Sequence, residues 1–166
     1  RRFSYIPSVL MPKLGDRADP GYVHNYYVDG PIALHDVHNG TEWRTILVAT
    51  LGAGGKGAFA LDVTDPDSPQ LLWEFFPSGD NDLGYVLGEP VIARATNGTW
   101  VVAFGNGYGS QSNKAALYVV NDVREDHGDY DVAVGRIRGN RSTPGNVLLR
   151  NDGPGCGGGR EEPGHR

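Results

Sequence analysis

Gly52-Ala53-Gly54-Gly55-Lys56-Gly57 matches G-x-G-x-x-G directly after an apolar run, the spacing that could hold a nucleotide phosphate. Such glycines work only where a helix N-terminus follows and turns its free amides toward the pyrophosphate. Here Ala58-Phe59-Ala60-Leu61-Asp62-Val63 follows, and it reads as a strand. A Walker-type loop also needs Ser or Thr after its lysine, where Gly57 stands. The segment is read as a wide inter-strand loop with positive φ at several glycines. Metal chemistry has one candidate group. Asp80-Asn81-Asp82 could give oxygen ligands to Ca2+, a cation that takes about six to eight of them. The alternating carboxylates, central glycine and closing glutamate of an EF-hand loop are missing, so a solvated turn is favoured. Asn151-Asp152-Gly153 carries less still. His24, His35, His38, His127 and His165 contain no i, i+4 pair for zinc, and His35 and His38 read as surface residues flanking Asp36. There is no nucleophile elbow. No catalytic or cofactor-binding residue is assigned.

These loops need strands to carry them. Residues 28–37, 44–51, 58–63, 71–75, 85–93, 99–104 and 115–120 are short β-rich runs cut by Gly, Pro and Asn. Asn39-Gly40 and Asn97-Gly98 join successive runs and predict type I′ hairpin turns. Both continue into Thr and match the N-x-T glycosylation sequon, but the turn accounts for them without a sugar. No window holds a helical period over three turns. The hairpins are internal copies, since Pro31 aligns with Pro90 and Asp62 with Asn121, each 59 residues apart. Each copy runs strand, Asn-Gly turn, Trp-bearing strand, glycine-rich loop, strand. Repeats of that length and content predict propeller blades, which lean on neighbours across both faces. Trp43 and Trp100 are expected in the blade cores.

The expected fold is therefore all-β, an incomplete β-propeller of about two blades, at residues 26–75 and 83–123. A closed ring takes at least about four blades. Composition agrees, with 25 glycines and 11 prolines in 166 residues and only 39% hydrophobic residues. The formal charge of −5 argues against a general nucleic-acid binder. No apolar run is long enough to span a membrane. Cys156 is the only cysteine, so it has no internal disulfide partner. The chain starts Arg1-Arg2-Phe3 without Met and reads as part of something longer. Residues 1–123 form the propeller portion. Residues 124–166 carry ten glycines, seven arginines and one aromatic residue, and are read as an irregular Gly/Arg-rich tail, disordered or frame-disrupted.

Two resemblances arise from these residues. Ala60-Leu61-Asp62-Val63-Thr64-Asp65 with Leu72-Trp73-Glu74-Phe75 resembles the A-L-D … L-W-x-F signature of quinoprotein-type propeller repeats. Its Leu and Trp are expected to pack between blades. More specifically, residues 5–120 resemble the C-terminal β-propeller of the PilY1/PilC family of type IV pilus tip-associated adhesins. The resemblance rests on Tyr5-Ile6-Pro7-Ser8, Tyr26-Tyr27-Val28-Asp29-Gly30, the segment from Leu51 to Gly57, and Leu83-Gly84-Tyr85. Phe104-Gly105-Asn106-Gly107-Tyr108 and Lys114-Ala115-Ala116-Leu117-Tyr118-Val119 complete it in the family's order. It implies a non-catalytic module for pilus assembly, surface attachment and twitching motility. Implied partners are minor pilins or other pilus-tip proteins, and host or abiotic surfaces. The implied location is the cell surface or pilus tip, reached through the periplasm and associated with the outer membrane. The family's Ser-Thr-Pro element leads into an acidic calcium loop. Here Ser142-Thr143-Pro144 is followed by a stretch lacking most of those carboxylates, so no Ca2+ ligand is carried over. The rival expectations are a fragment of a PQQ-dependent dehydrogenase and another extracellular binding propeller.

Overall fold

Branched and aromatic runs interrupted by glycine, proline and asparagine favour short antiparallel strands. The computed structural model describes residues 2–76, 79–121, 131–137 and 147–151. Strands β1 (Ile32–His38), β2 (Trp43–Thr50), β3 (Ala58–Asp62) and β4 (Gln70–Phe75) pair in chain order as one antiparallel sheet. Strands β5 (Val91–Arg94), β6 (Trp100–Gly105), β7 (Ala116–Asn121), β8 (Asp131–Ile137) and β9 (Val147–Asn151) form a second. Two such meanders packed face to face are neighbouring propeller blades. Their first strands, β1 and β5, touch across the two sheets. The repeat read from the sequence is structural. Ile32 and Val91 stand 59 residues apart and open the two sheets opposite Ala49 and Ala103.

The Asn-Gly pairs do close the hairpins, but not as type I′ turns. That turn needs positive φ at both central residues, and Asn113 is the one described non-glycine residue with positive φ. In the first copy, Asn39–Glu42 form a four-residue loop between His38 and Trp43. The Asn39 Oδ1 accepts from the amides of Thr41 and Glu42, each at 2.8 Å. In the second copy, the Gly98 amide donates to the Ala95 carbonyl at 2.9 Å, with Gly98 at φ 87°. That is a type I turn followed by a left-handed glycine. The asparagine caps the turn through its side chain instead of supplying a left-handed backbone.

Past residue 123 the second sheet continues. Val120 pairs with Val132 and Ala116 with Arg136, so β8 extends the second sheet into the stretch read as an irregular tail. β9 follows it, with Ile137 opposite Val147. Composition averaged over the whole stretch hides two short β-prone runs, Val132-Ala133-Val134 and Val147-Leu148-Leu149, among its glycines and arginines. Residues 124–130, 138–146 and 152–166, the remainder of that stretch, lie outside the described residues.

Among the described residues, two apolar clusters form. Between the blades lie Val37, Ile46, Val48, Ala58, Ala60, Trp73 and Phe75 of the first sheet. Ile92, Val102, Phe104, Ala116, Tyr118 and Val120 of the second sheet meet them there. The Phe104 and Tyr118 rings stack at 5.5 Å, and Phe75 packs on Tyr118 at the same distance. Leu72 and Trp73 are both buried in this cluster although consecutive strand residues point to opposite faces. A β-bulge explains it: Ala60 pairs with Trp73 but Leu61 with Leu71, leaving Leu72 as the extra residue. The signature's leucine and tryptophan thus pack between blades as expected.

The other face of the first sheet carries Ala49, Leu51, Phe59 and Leu61, and the N-terminal segment covers it with Leu10. A 3-10 turn, Ser8–Lys13, holds Leu10 there, and the Tyr5 ring lies 5.0 Å from Phe59. The N-terminal segment thus acts as a strap on that side of the repeat. It is fastened to Glu74 on β4. The Tyr5 phenol donates to Glu74 Oε1 at 2.5 Å and the Ser8 amide to the same oxygen at 2.7 Å, while the Ser8 hydroxyl donates to Oε2. Burial pulls the Glu74 carboxyl upward, but the hydrogen bonds from Ser8 and Tyr5 outweigh it and hold it below its ordinary value. Burial, the bond to Glu74 and that group's charge push the Tyr5 phenol upward. A carboxyl depressed in the folded state stabilises above its unfolded pKa and loses that contribution as pH falls through its folded value. We expect Glu74→Gln to reduce the fall in urea midpoint between neutral pH and about pH 3. Equal falls in both proteins would contradict the fastening.

Candidate functional site

The two hairpin turns stand side by side because their blades do, and a cleft of about 380 Å³ opens between them. His38, Asn39 and Gly40 line it from the first blade, and Arg94, Asn97, Gly98, Thr99 and Trp100 from the second. Trp100 fixes the spacing. Its indole Nε1 donates to the His38 carbonyl at 3.0 Å, and its ring lies 5.5 Å from that of His35. Trp100 is half-buried against the inter-blade cluster, whereas Trp43 is 66% exposed with its ring edge-on to His38 at 5.2 Å. The expectation that both tryptophans sit in blade cores therefore fails. Trp43 begins β2 beside a longer turn, which carries it past the edge of the packed interface.

Internal bonds occupy many of the acceptors around the cleft. The Gly40 amide donates to His38 Nδ1 at 3.1 Å, which leaves the proton of a neutral ring on Nε2. Asn97 Oδ1 accepts from the Thr99 amide at 3.0 Å, which orients the amide nitrogen of Asn97 away from the turn. The Gly98 carbonyl accepts from Arg94 Nε at 3.1 Å. No described carboxylate forms an ion pair with Arg94. Glu42, the carboxylate in the first turn, is drawn to Arg44 at 2.9 Å. The cleft thus offers a guanidinium, an imidazole N–H and an amide NH2 beside an indole.

The residues singled out from the sequence lie elsewhere. The glycine-rich loop is an inter-strand loop, as expected. Gly52–Gly54 make a 3-10 turn, β3 follows, and Gly52 and Gly57 have φ of 60° and 151°. Its amides face a carboxylate already present: Asp29 Oδ1 accepts from Ala53 at 2.7 Å and Gly54 at 3.3 Å. A Cβ on Gly54 would stand 2.0 Å from the Tyr27 carbonyl oxygen, so close approach also requires that glycine. Asp80 has both carboxylate oxygens engaged, Oδ1 by the Asp82 amide at 2.7 Å and Oδ2 by the Tyr118 hydroxyl at 2.6 Å. Asn81 accepts at its carbonyl from Ser112, and Asp82 is 5% exposed, its carbonyl accepting from Asn106. Among the described residues, no group of three or more His, Cys, Asp or Glu is placed to share a metal. Ser142-Thr143-Pro144 lies outside the described residues. No described helix is long and apolar enough to cross a membrane.

Sequence reasoning passed over the cleft. His38 was visible only as a surface histidine, and Arg94 was not singled out. The repeated Asn-Gly-Thr was the available signal, because two copies of one turn on adjacent blades must come together.

The family model described as the PilY1 beta-propeller domain matches residues 2–141. The chain is 45% identical over 123 residues to a type IV pilus biogenesis factor PilY1 homolog of Xylella fastidiosa (strain Temecula1), covering 72% of this chain and 8% of that protein. It is 45% identical over 122 residues to the type IV pilus biogenesis factor PilY1 of Pseudomonas aeruginosa (strain UCBPP-PA14), covering 72% and 10%. The chain thus spans about a tenth of the length of these relatives. Its fold is similar to the crystal structure of the Pseudomonas aeruginosa PilY1 C-terminal domain, with a TM-score of 0.61 and 34% identity. That match covers 84% of this chain and 33% of the other.

Proposed function

This chain belongs to the PilY1 β-propeller family, and from that premise we propose that it is a non-catalytic propeller module of a type IV pilus biogenesis factor. The observation that carries the reading is 45% identity to named type IV pilus biogenesis factors over 123 and 122 residues, with the family model matching residues 2–141. Such a module acts through surfaces. Its partners are minor pilins or other proteins of the pilus tip, its outcome is pilus assembly and surface attachment, and its place is the cell surface. A quinoprotein dehydrogenase gains no support from the A-L-D … L-W-x-F resemblance. Leu72, Trp73 and Phe75 pack between the blades, and Asp62 Oδ1 accepts from the Thr64 amide at 2.9 Å, so packing and turn formation account for the signature.

The test uses the full-length gene in its own host. Complementing a deletion strain with the intact gene restores twitching and surface pili. A gene lacking the codons for residues 26–121 is expected to restore neither, while immunoblots show the truncated protein reaching the same fraction. Full twitching from the truncated gene would overturn the assignment.

A further inference from the structure

We propose that the cleft between the two hairpin turns binds an acidic saccharide, taking the carboxylate-bearing pyranose of a uronic acid residue. Three features of the cleft select that chemistry. First, several hydrogen-bond donors line it. Arg94, His38 and Asn97 line it, and their internal bonds engage His38 Nδ1, Asn97 Oδ1 and the Gly98 carbonyl, which leaves the guanidinium, the second imidazole nitrogen and the Asn97 amide nitrogen as donors. A ligand for such a wall must be rich in acceptors, and a carboxylate matches the planar fork of an arginine. Second, the chain carries 20 acidic residues against 15 Lys and Arg, yet none of the described carboxylates pairs with Arg94. Third, an indole forms part of the wall. Trp100 lines the cleft and the exposed Trp43 stands against His38. A flat aromatic face suits the C–H face of a sugar ring, whereas an isolated carboxylate has no use for it.

The volume fits too. At about 380 Å³ the cleft lies within the range of small-ligand sites, and it has room for one to two sugar rings. Its walls are held in place without a ligand, because the Trp100 bond to His38 and the two asparagine caps fix the turns. Sugar binding here requires no role in pili, so this proposal and the pilus assignment fail separately.

The test titrates the whole chain at low salt with tetragalacturonate, neutral galactotetraose and hexaglutamate, followed by tryptophan fluorescence and saturation-transfer NMR. Tetragalacturonate is expected to saturate and to bind about tenfold or more tighter than galactotetraose, the difference being the arginine–carboxylate contact. Arg94→Gln should remove that preference. Asn97→Asp keeps the oxygen that caps Thr99 but replaces the outward donor with a charge, and should weaken tetragalacturonate about tenfold or more. Both side chains are exposed, so both variants should keep the wild-type unfolding midpoint. Three results would each overturn the proposal. These are no saturable binding up to about 10 mM, wild-type affinity in both variants, or hexaglutamate binding as tightly as tetragalacturonate. The last would mark the cleft as a site for acidic peptides.

Discussion

Trp73→Ala is expected to destabilise the protein by about 3–5 kcal/mol, whereas Trp43→Ala should change stability by less than about 0.5 kcal/mol. The two residues share a side chain and differ in surroundings. Trp73 is 2% exposed and belongs to the cluster between the blades, so its removal leaves a cavity that both sheets line. Trp43 is 66% exposed, and its ring contact is with the surface residue His38. Urea denaturation of the two variants beside the parent gives the comparison directly. Equal losses would mean that the bulge at Leu72 does not turn Trp73 into the interface.

The second large effect falls on a polar residue. Asn106 is 6% exposed and ties the loop after β6 to two other segments. Its Nδ2 donates to the carbonyls of Asp82 at 2.7 Å and Lys114 at 2.8 Å, and its Oδ1 accepts from the Ala116 amide at 3.1 Å. Truncation to alanine strands two carbonyls and one amide, and each buried orphan costs about 1–3 kcal/mol. The expected loss is therefore about 3 kcal/mol or more, by the same denaturation measurement. Asn106→Asp should be no better, because a carboxylate cannot donate to either carbonyl. A loss below about 1 kcal/mol for Asn106→Ala would show that water replaces the side chain there.

Asn106 also shows how far sequence reasoning reaches. It stands within Phe104-Gly105-Asn106-Gly107-Tyr108, a segment that marks the family by order and composition. Nothing in that string says which residue is a buried hub, because its partners come from residues 82, 114 and 116. The glycine-rich loop is easier to place. A strand after the glycines, with no helix, is a local feature, and it excludes the nucleotide reading by itself. The hairpins fall between these cases. Asn-Gly correctly locates both reversals, but the turn type depends on whether asparagine uses its backbone or its side chain.

Residue order alone determined the all-β class, the repeat near sixty residues, the family and the loops, because period-2 patterning and turn residues act over a few neighbours. Tertiary structure decided which tryptophan is buried, what covers the far face of the first blade, and that β8 and β9 continue the second. It also decided that His38, Arg94 and Trp100 share a cleft. Each of these depends on which surfaces meet across dozens of residues of chain, and a bulge of one residue or a longer turn changes the answer without altering the local pattern.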